Sequence, residues 1–170
     1  MDRRHPIGQF RVEGDSSASQ TKQWIEEIDQ LPKQVCELVN KLSELELQRT
    51  YRERGWNIRQ LVHHLADSHL NSFVRFKLAL TEEKPVIKPY DEASWAQLPD
   101  YEMPVQSALD LLASIHRKWV VLLRTLTPAQ LQRTFIHPGT REEVSLKENI
   151  GIYAWHGKHH LAHIHLALKD

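Results

Sequence analysis

Five histidines stand within WHGKHHLAHIH, from Trp155 to His165. Three more, His63, His64 and His69, fall in one window far upstream, so eight of the chain's eleven histidines occupy two short segments. Neutral imidazole is the commonest side-chain ligand for transition metals. His156/His160 and His159/His163 are both spaced i, i+4. On a helix such a pair projects from successive turns of one face, with the rings close enough to share an ion. An expression tag would be an uninterrupted run, whereas Leu, Ala and Ile are woven through this one.

Helical geometry separates the five. Lys158, His165 and Lys169 mark a solvent side, and the direction most nearly opposite runs through His156 and His160. His163 lies close to that inward face and His159 further round. The upstream window offers a third ligand. His64 heads a stripe at i, i+4, i+7 and i+11 with Ser68, Asn71 and Arg75, small polar groups and one arginine that suit the wall of a polar cleft. His63 points to another side and cannot serve the same site.

Three imidazoles leave a divalent cation its full charge and at least one open position, as catalytic sites require. Water on such an ion loses its proton near pH ~7 instead of ~15.7. All-nitrogen ligation suits zinc, and nickel, iron or copper less decisively. For the remaining histidines the simpler reading holds. His69 falls among apolar positions as core filler, His159 and His163 are supporting or structural, and His165 is on the surface. His5, His116 and His137 are isolated. Asp67, one turn from His64, could orient an imidazole or act as a base, but a solvated aspartate is simpler. Cys36 reads as a small buried apolar residue. No general base is identified.

These groups must be held by helices. Trp24, Ile28, Leu31, Val35, Leu38 and Leu42 recur three or four apart over about residues 17–41, with Pro32 expected to kink that helix or begin a new one. SELE, Ser43 to Glu46, is a capping box for a short turn. Asn57, with Gln60 reciprocal and Trp56 as a staple, caps a helix running to about Leu80. Residues 85–101 form a long crossover with a helical turn near Trp95. Pro104 suits the first turn of a third long helix through Leu109, Leu112, Ile115, Trp119, Leu122 and Leu126. TPAQ starts a short turn, and TFIHPGTREEVSL predicts a small hairpin or irregular loop. Ser145 and Glu148 form a third capping box, opening a last helix to about Ala167. The sum is all-α, a four-helix bundle. Residues 1–170 form one domain, with 1–15 as an extended N-terminal arm.

Composition agrees. At 170 residues, 41% hydrophobic and 26% charged, the chain suits one soluble globular domain. Its 22 basic and 22 acidic side chains cancel, and no Lys/Arg block tracks a phosphate backbone, which argues against nucleic acid and membrane surfaces as partners and for a small-molecule substrate. No apolar run approaches the ~20 residues that span a bilayer. MDRRHPIGQF lacks the apolar region of a secretory signal, and the one cysteine fits a reducing compartment, so a cytoplasmic protein is expected.

With the residues in view, GWNIRQLVHHLADSH resembles the second-helix motif of the DinB/YfiT-like superfamily, and WHGKHHLAHI resembles its C-terminal H-x-x-H-H motif. RFKLALTEEKPVIKPYDEASWAQL and HPIGQF are similar to the YfiT branch, whose members are described as metal-dependent hydrolases. The resemblance spans nearly the whole chain. It implies a four-helix bundle, one divalent ion per subunit on three histidines, and a homodimer. By motif the ligands are His64, His156 and His160, which agrees with the orientation argument.

The reaction is less determined than the ion. Zinc proteases of the HExxH type keep a glutamate beside the first histidine as general base. Here that neighbour is Gly157, and the motif holds no carboxylate. The superfamily resemblance also extends to thiol S-transferases, in which the metal lowers the pKa of a low-molecular-weight thiol. A thiolate is already nucleophilic and needs no base. Metal-dependent hydrolysis is the first reading, with Asn71 or Arg75 binding a polar part of the substrate. Thiol transfer is the alternative, and a non-catalytic module stapled by its metal is the third.

Overall fold

The structure, a computed structural model, describes residues 2–11 and 17–169. Ser17 opens α1 (Ala18–Val39) by accepting a hydrogen bond from the Gln20 amide, and one helix runs through Pro32 without a new start there. The Ser43–Glu46 capping box forms as expected and opens α2 (Glu44–Leu47). The Asn57–Gln60 box does likewise for α3 (Ile58–Thr81). In the crossover, α4 (Glu92–Trp95) is capped by Asp91 and followed by a 3-10 turn at Pro99–Glu102. Pro104 sits just ahead of α5 (Val105–Thr125), and Thr127 caps α6 (Pro128–Leu131). The irregular segment resolves into an antiparallel hairpin, β1 (Thr134–Ile136) with β2 (Glu143–Ser145), in register Phe135 opposite Val144. Ser145 ends β2 and its hydroxyl accepts from the Glu148 amide, so strand passes directly into α7 (Leu146–Lys169).

The four long helices close a ring: α1 packs on α5 and α7, and α3 packs on the same two from the other side. Among the described residues no helix is long and apolar enough to cross a membrane. The extended N-terminal arm is not what forms at residues 2–8. His5 and Gly8 amides donate back to Asp2 and His5 carbonyls, making consecutive turns, and Arg3 Nη1 donates to the Tyr51 carbonyl. The rest of that expected arm, residues 12–15, lies outside the described residues.

The core is split in two. One apolar cluster gathers Leu31, Val35, Val39, Leu61, Leu65, Leu112 and Ile164; the other gathers Ile28, Trp24, Phe76, Trp119, Leu123, Ile150 and Ala154. On every long helix the switch between clusters falls mid-length. Buried polar groups fill that level: Ser68, His69 and Ser72 on α3, His116 on α5, and His159, His160 and His163 on α7. A polar layer thus crosses the bundle between two apolar halves. Cys36 is partly buried against the first cluster.

Gly157 brings α7 against α1 at this level. A β-carbon there would stand 2.7 Å from Leu31 Cδ2 and 3.0 Å from Cδ1, inside van der Waals contact. Gly157→Ala therefore loses more to overpacking, about 1–3 kcal/mol, than the ~1 kcal/mol it gains in helix propensity. Thermal melts should show Gly157→Ala destabilising the wild-type chain but stabilising a Leu31→Ala background, where the methyl enters the vacated space. Equal shifts in both backgrounds would refute the packing account.

Candidate metal centre

The polar layer holds one constellation that could bind a cation between two helices. His64 comes from α3, and His156 and His160 from successive turns of α7. His64 is 1% exposed, His160 is buried, and His156 is half-buried. His64 Nε2 and His156 Nε2 stand 3.2 Å apart. The His160 ring centroid is 4.8 Å from that of His64 and 4.5 Å from that of His156. One nitrogen from each of the three lies within 4.8 Å of the other two. Two imidazoles on a tetrahedral zinc, with Zn–N of about 2.05 Å, place their nitrogens about 3.3 Å apart. The His64–His156 separation fits that spacing.

A second group, His159, His160 and His163, could also hold a metal. It shares His160, whose Nδ1 lies 3.3 Å from His163 Nδ1. A neutral imidazole has a single ring lone pair to give, so His160 serves one group at a time. With Nδ1 engaged by His163, Nε2 is the nitrogen His160 has left for His64 and His156. Aromatic rings also occupy the second group's flanks: Tyr51 stacks on His163 at 3.9 Å and Trp155 on His159 at 4.5 Å. The His64 group draws its nitrogens from two helices, the second from α7 alone.

Burial keeps these rings uncharged. Desolvation, helped by His159, pushes His64 down to about 4. His156 and His160 lie well below the ordinary histidine value, first through desolvation and then through neighbouring histidines. Neutral imidazole is the ligating form. Trp56 covers the group, its ring 4.6 Å from His64 and 6.4 Å from His160. That placement goes beyond a helix staple.

Several other positions differ from the sequence reading. His69 is more than core filler and His116 is not isolated. His69 Nδ1 lies 2.9 Å from His116 Nε2, His69 Nε2 lies 3.1 Å from His156 Nδ1, and His116 Nδ1 lies 2.6 Å from the Ile28 carbonyl oxygen. Asp67 is neither at His64 nor simply solvated: its Oδ2 accepts from Tyr101 Oη at 2.8 Å, and burial raises its pKa. Asn71 Nδ2 donates one hydrogen bond to the Asp67 carbonyl of its own helix. His63 Nε2 pairs with the Met103 carbonyl, away from the centre as expected. His165 is exposed, and His159 and His163 are buried. Along the cleft stripe, Ser68 Oγ sits 3.4 Å from Tyr153 Oη, and Tyr153 packs beside both His69 and His156. Tyr153 was not singled out in the sequence; its i, i+3 spacing to His156 is the signal that marks it.

With this geometry in hand, comparison with known proteins is decisive for the family. The model of the DinB superfamily matches residues 27–164. The chain belongs to the DinB superfamily. A Halalkalibacterium halodurans protein named "putative metal-dependent hydrolase" is 51% identical over 168 residues, spanning 99% of this chain and 98% of that one. An Oceanobacillus iheyensis protein of the same name is 49% identical over 164 residues, 96% of this chain and 95% of its own. The solved structure of YfiT from Bacillus subtilis, described as a probable metal-dependent hydrolase with an unusual four-helix bundle topology, superposes with a TM-score of 0.95. It is 42% identical and covers 99% of this chain and 98% of its own. The four-helix architecture expected from periodicity is thereby shown.

Buried neutral histidines make stability depend on pH. His64, His116, His159 and His163 are each pushed down to about 4, chiefly by desolvation, whereas an unfolded histidine titrates near ~6.5. Between those values the unfolded chain binds more protons, so stability rises with pH there. Their contribution is complete above ~6.5 and is lost as pH falls toward 4. Chelator-treated protein should lose stability over that interval at up to about 1.4 kcal/mol per pH unit for each such histidine. Urea melts in chelator that gave the same midpoint at pH 7 and pH 5 would contradict the buried-neutral assignment.

Proposed function

We propose that this DinB-superfamily protein is a metal-dependent hydrolase of a small-molecule substrate, with one divalent ion held by His64, His156 and His160. The observation that supports this is the 3.2 Å approach of His64 Nε2 to His156 Nε2, from two different helices, with His160 beside them. Zinc is the ion the all-nitrogen set favours, with nickel second. When bound, the ion supplies a Lewis acid that makes water nucleophilic at neutral pH. The protein's part is to hold three uncharged rings in place, cover them with Trp56, and keep the remaining approach polar. Arg75 lies along the stripe from His64, within Coulomb range of Tyr153 and Glu92, and is our candidate to meet a polar part of a substrate.

One observation favours a second reading, transfer to a thiol. Among the described residues neither metal-capable group contains a carboxylate. The position a zinc protease gives to its glutamate is Gly157, and Leu31 fills the space above it. A nucleophile that arrives already ionised, such as a thiolate, has no need of that base.

Metal analysis and two activity panels test these readings. Tag-free protein should carry about one zinc or nickel per chain, and His64→Ala, His156→Ala and His160→Ala should each bind that ion at least ~10-fold more weakly. Well under one ion per chain, with His156→Ala unchanged in stability, would end the metal reading in favour of a plain helical module. Ester and amide hydrolysis abolished by His64→Ala supports the hydrolase. Conjugation of small thiols to an electrophile, abolished by His64→Ala with no hydrolysis of any panel member, replaces it with the transferase.

A further inference from the structure

The hydrogen-bonded histidines behind His156 form a chain with a fixed start. Pro32 has no amide hydrogen, so the Ile28 carbonyl four residues earlier lacks its helical partner. That carbonyl oxygen lies 2.6 Å from His116 Nδ1, across from α1 to α5. The contacts then continue His116 Nε2 to His69 Nδ1 and His69 Nε2 to His156 Nδ1. His69 is 0% and His116 1% exposed, so bulk water cannot substitute for either partner.

A carbonyl only accepts, and a neutral imidazole carries one N–H and one lone pair. His116 must therefore place its hydrogen on Nδ1, leaving Nε2 as acceptor. His69 must donate to it from Nδ1, leaving its own Nε2 as acceptor. His156 must then donate from Nδ1, and its lone pair is left on Nε2, the nitrogen that faces His64. We propose that the Ile28 carbonyl freed by Pro32 sets the tautomers of His116, His69 and His156 in turn, making His69 and His116 positioning residues that present the His156 lone pair to the metal.

The direction of the chain matters. Were His69 to hold its hydrogen on Nε2, His156 Nδ1 would have to accept, and the His156 hydrogen would move to Nε2 and block the ligand. Metal-binding histidines ordinarily have their tautomer fixed by a carboxylate, carbonyl or water on the other nitrogen. Here two further imidazoles relay that instruction from a backbone carbonyl on a fourth helix, α1. This inference rests on the His64, His156, His160 reading of the centre.

The test uses the whole protein. Two-bond ¹H–¹⁵N correlation spectra of the histidine rings at pH 7.5, in chelator, report which nitrogen bears hydrogen. His116, His69 and His156 should all show Nδ1–H. Zinc affinity, measured by competition with a chromophoric chelator, should fall about 10–100-fold in His116→Phe. It should largely recover in His116→Gln, whose carboxamide can donate to Ile28 and accept from His69. An Nε2–H on His69 or His156 in the wild type overturns the proposal, as does a folded His116→Phe with wild-type zinc affinity. If His116→Phe does not fold, the wild-type spectra still decide. Wild-type protein that takes up no zinc defeats the metal reading instead, and the spectra judge the relay separately.

Discussion

The hydrogen bond from His116 to the Ile28 carbonyl closes a gap that Pro32 opens in α1. A proline inside a helix costs roughly 3 kcal/mol, partly because the carbonyl four residues back loses its partner. In this bundle that carbonyl faces the interior, where an unsatisfied acceptor costs a further ~1–3 kcal/mol. A donor from a neighbouring helix is therefore required, and α5 supplies an imidazole. Imidazole brings a second nitrogen with it, which must also be paired away from water. His69 pairs it and raises the same demand, and His156 answers that one. The polar layer thus propagates from one missing amide hydrogen to the rim of the candidate centre.

Such a layer is tolerated because the two apolar clusters on either side carry the folding energy. Ile28 and Leu31 belong to different clusters although only three residues apart, so the boundary falls at the level where the proline frees its acceptor. Desolvation then disfavours charge on the rings and at His116 outweighs the pull of Asp29. That condition suits both structural needs and ligand chemistry. Among the described residues, the buried ring nitrogens His64 Nδ1 and His159 Nδ1 have no hydrogen-bond partner. Both belong to the two metal-capable groups, whereas the rings of the relay, His69 and His116, have both nitrogens paired.

Much of this was legible in the sequence. The three long apolar repeats, the caps at Ser43, Asn57 and Ser145, and the i, i+4 spacing of His156 and His160 follow from local rules that tertiary packing did not overrule. The stripe from His64 was legible for the same reason. The relay was hidden because each of its members looks unremarkable alone. His69 falls on an apolar face, and His116 sits between Leu112 and Trp119 at core spacing, where a single histidine is usually filler. Pro32 read as an interruption because a helix that continues through it needs a donor from elsewhere, and periodicity within one helix cannot see another. The combination that would have exposed it is an inward histidine on one helix and an interior proline on another. Asp67 was misread for a related reason: its partner, Tyr101, comes from the crossover, whose path no periodic pattern fixes.

The charge balance of the centre bears on what it can bind. Three neutral rings contribute nothing against a divalent ion, and the one carboxylate a turn from His64 is already committed to Tyr101. Any ion held there would keep its charge largely uncompensated by the protein. The stripe leading away from it ends at Arg75, with Tyr153 alongside. Glu92 lies within Coulomb range of the same guanidinium, so the stripe ends in a paired charge rather than a lone cation. At Gly157 the close packing of Leu31 leaves no space for an acidic side chain. Among the described residues, a carboxylate base would therefore have to come from outside the two histidine groups.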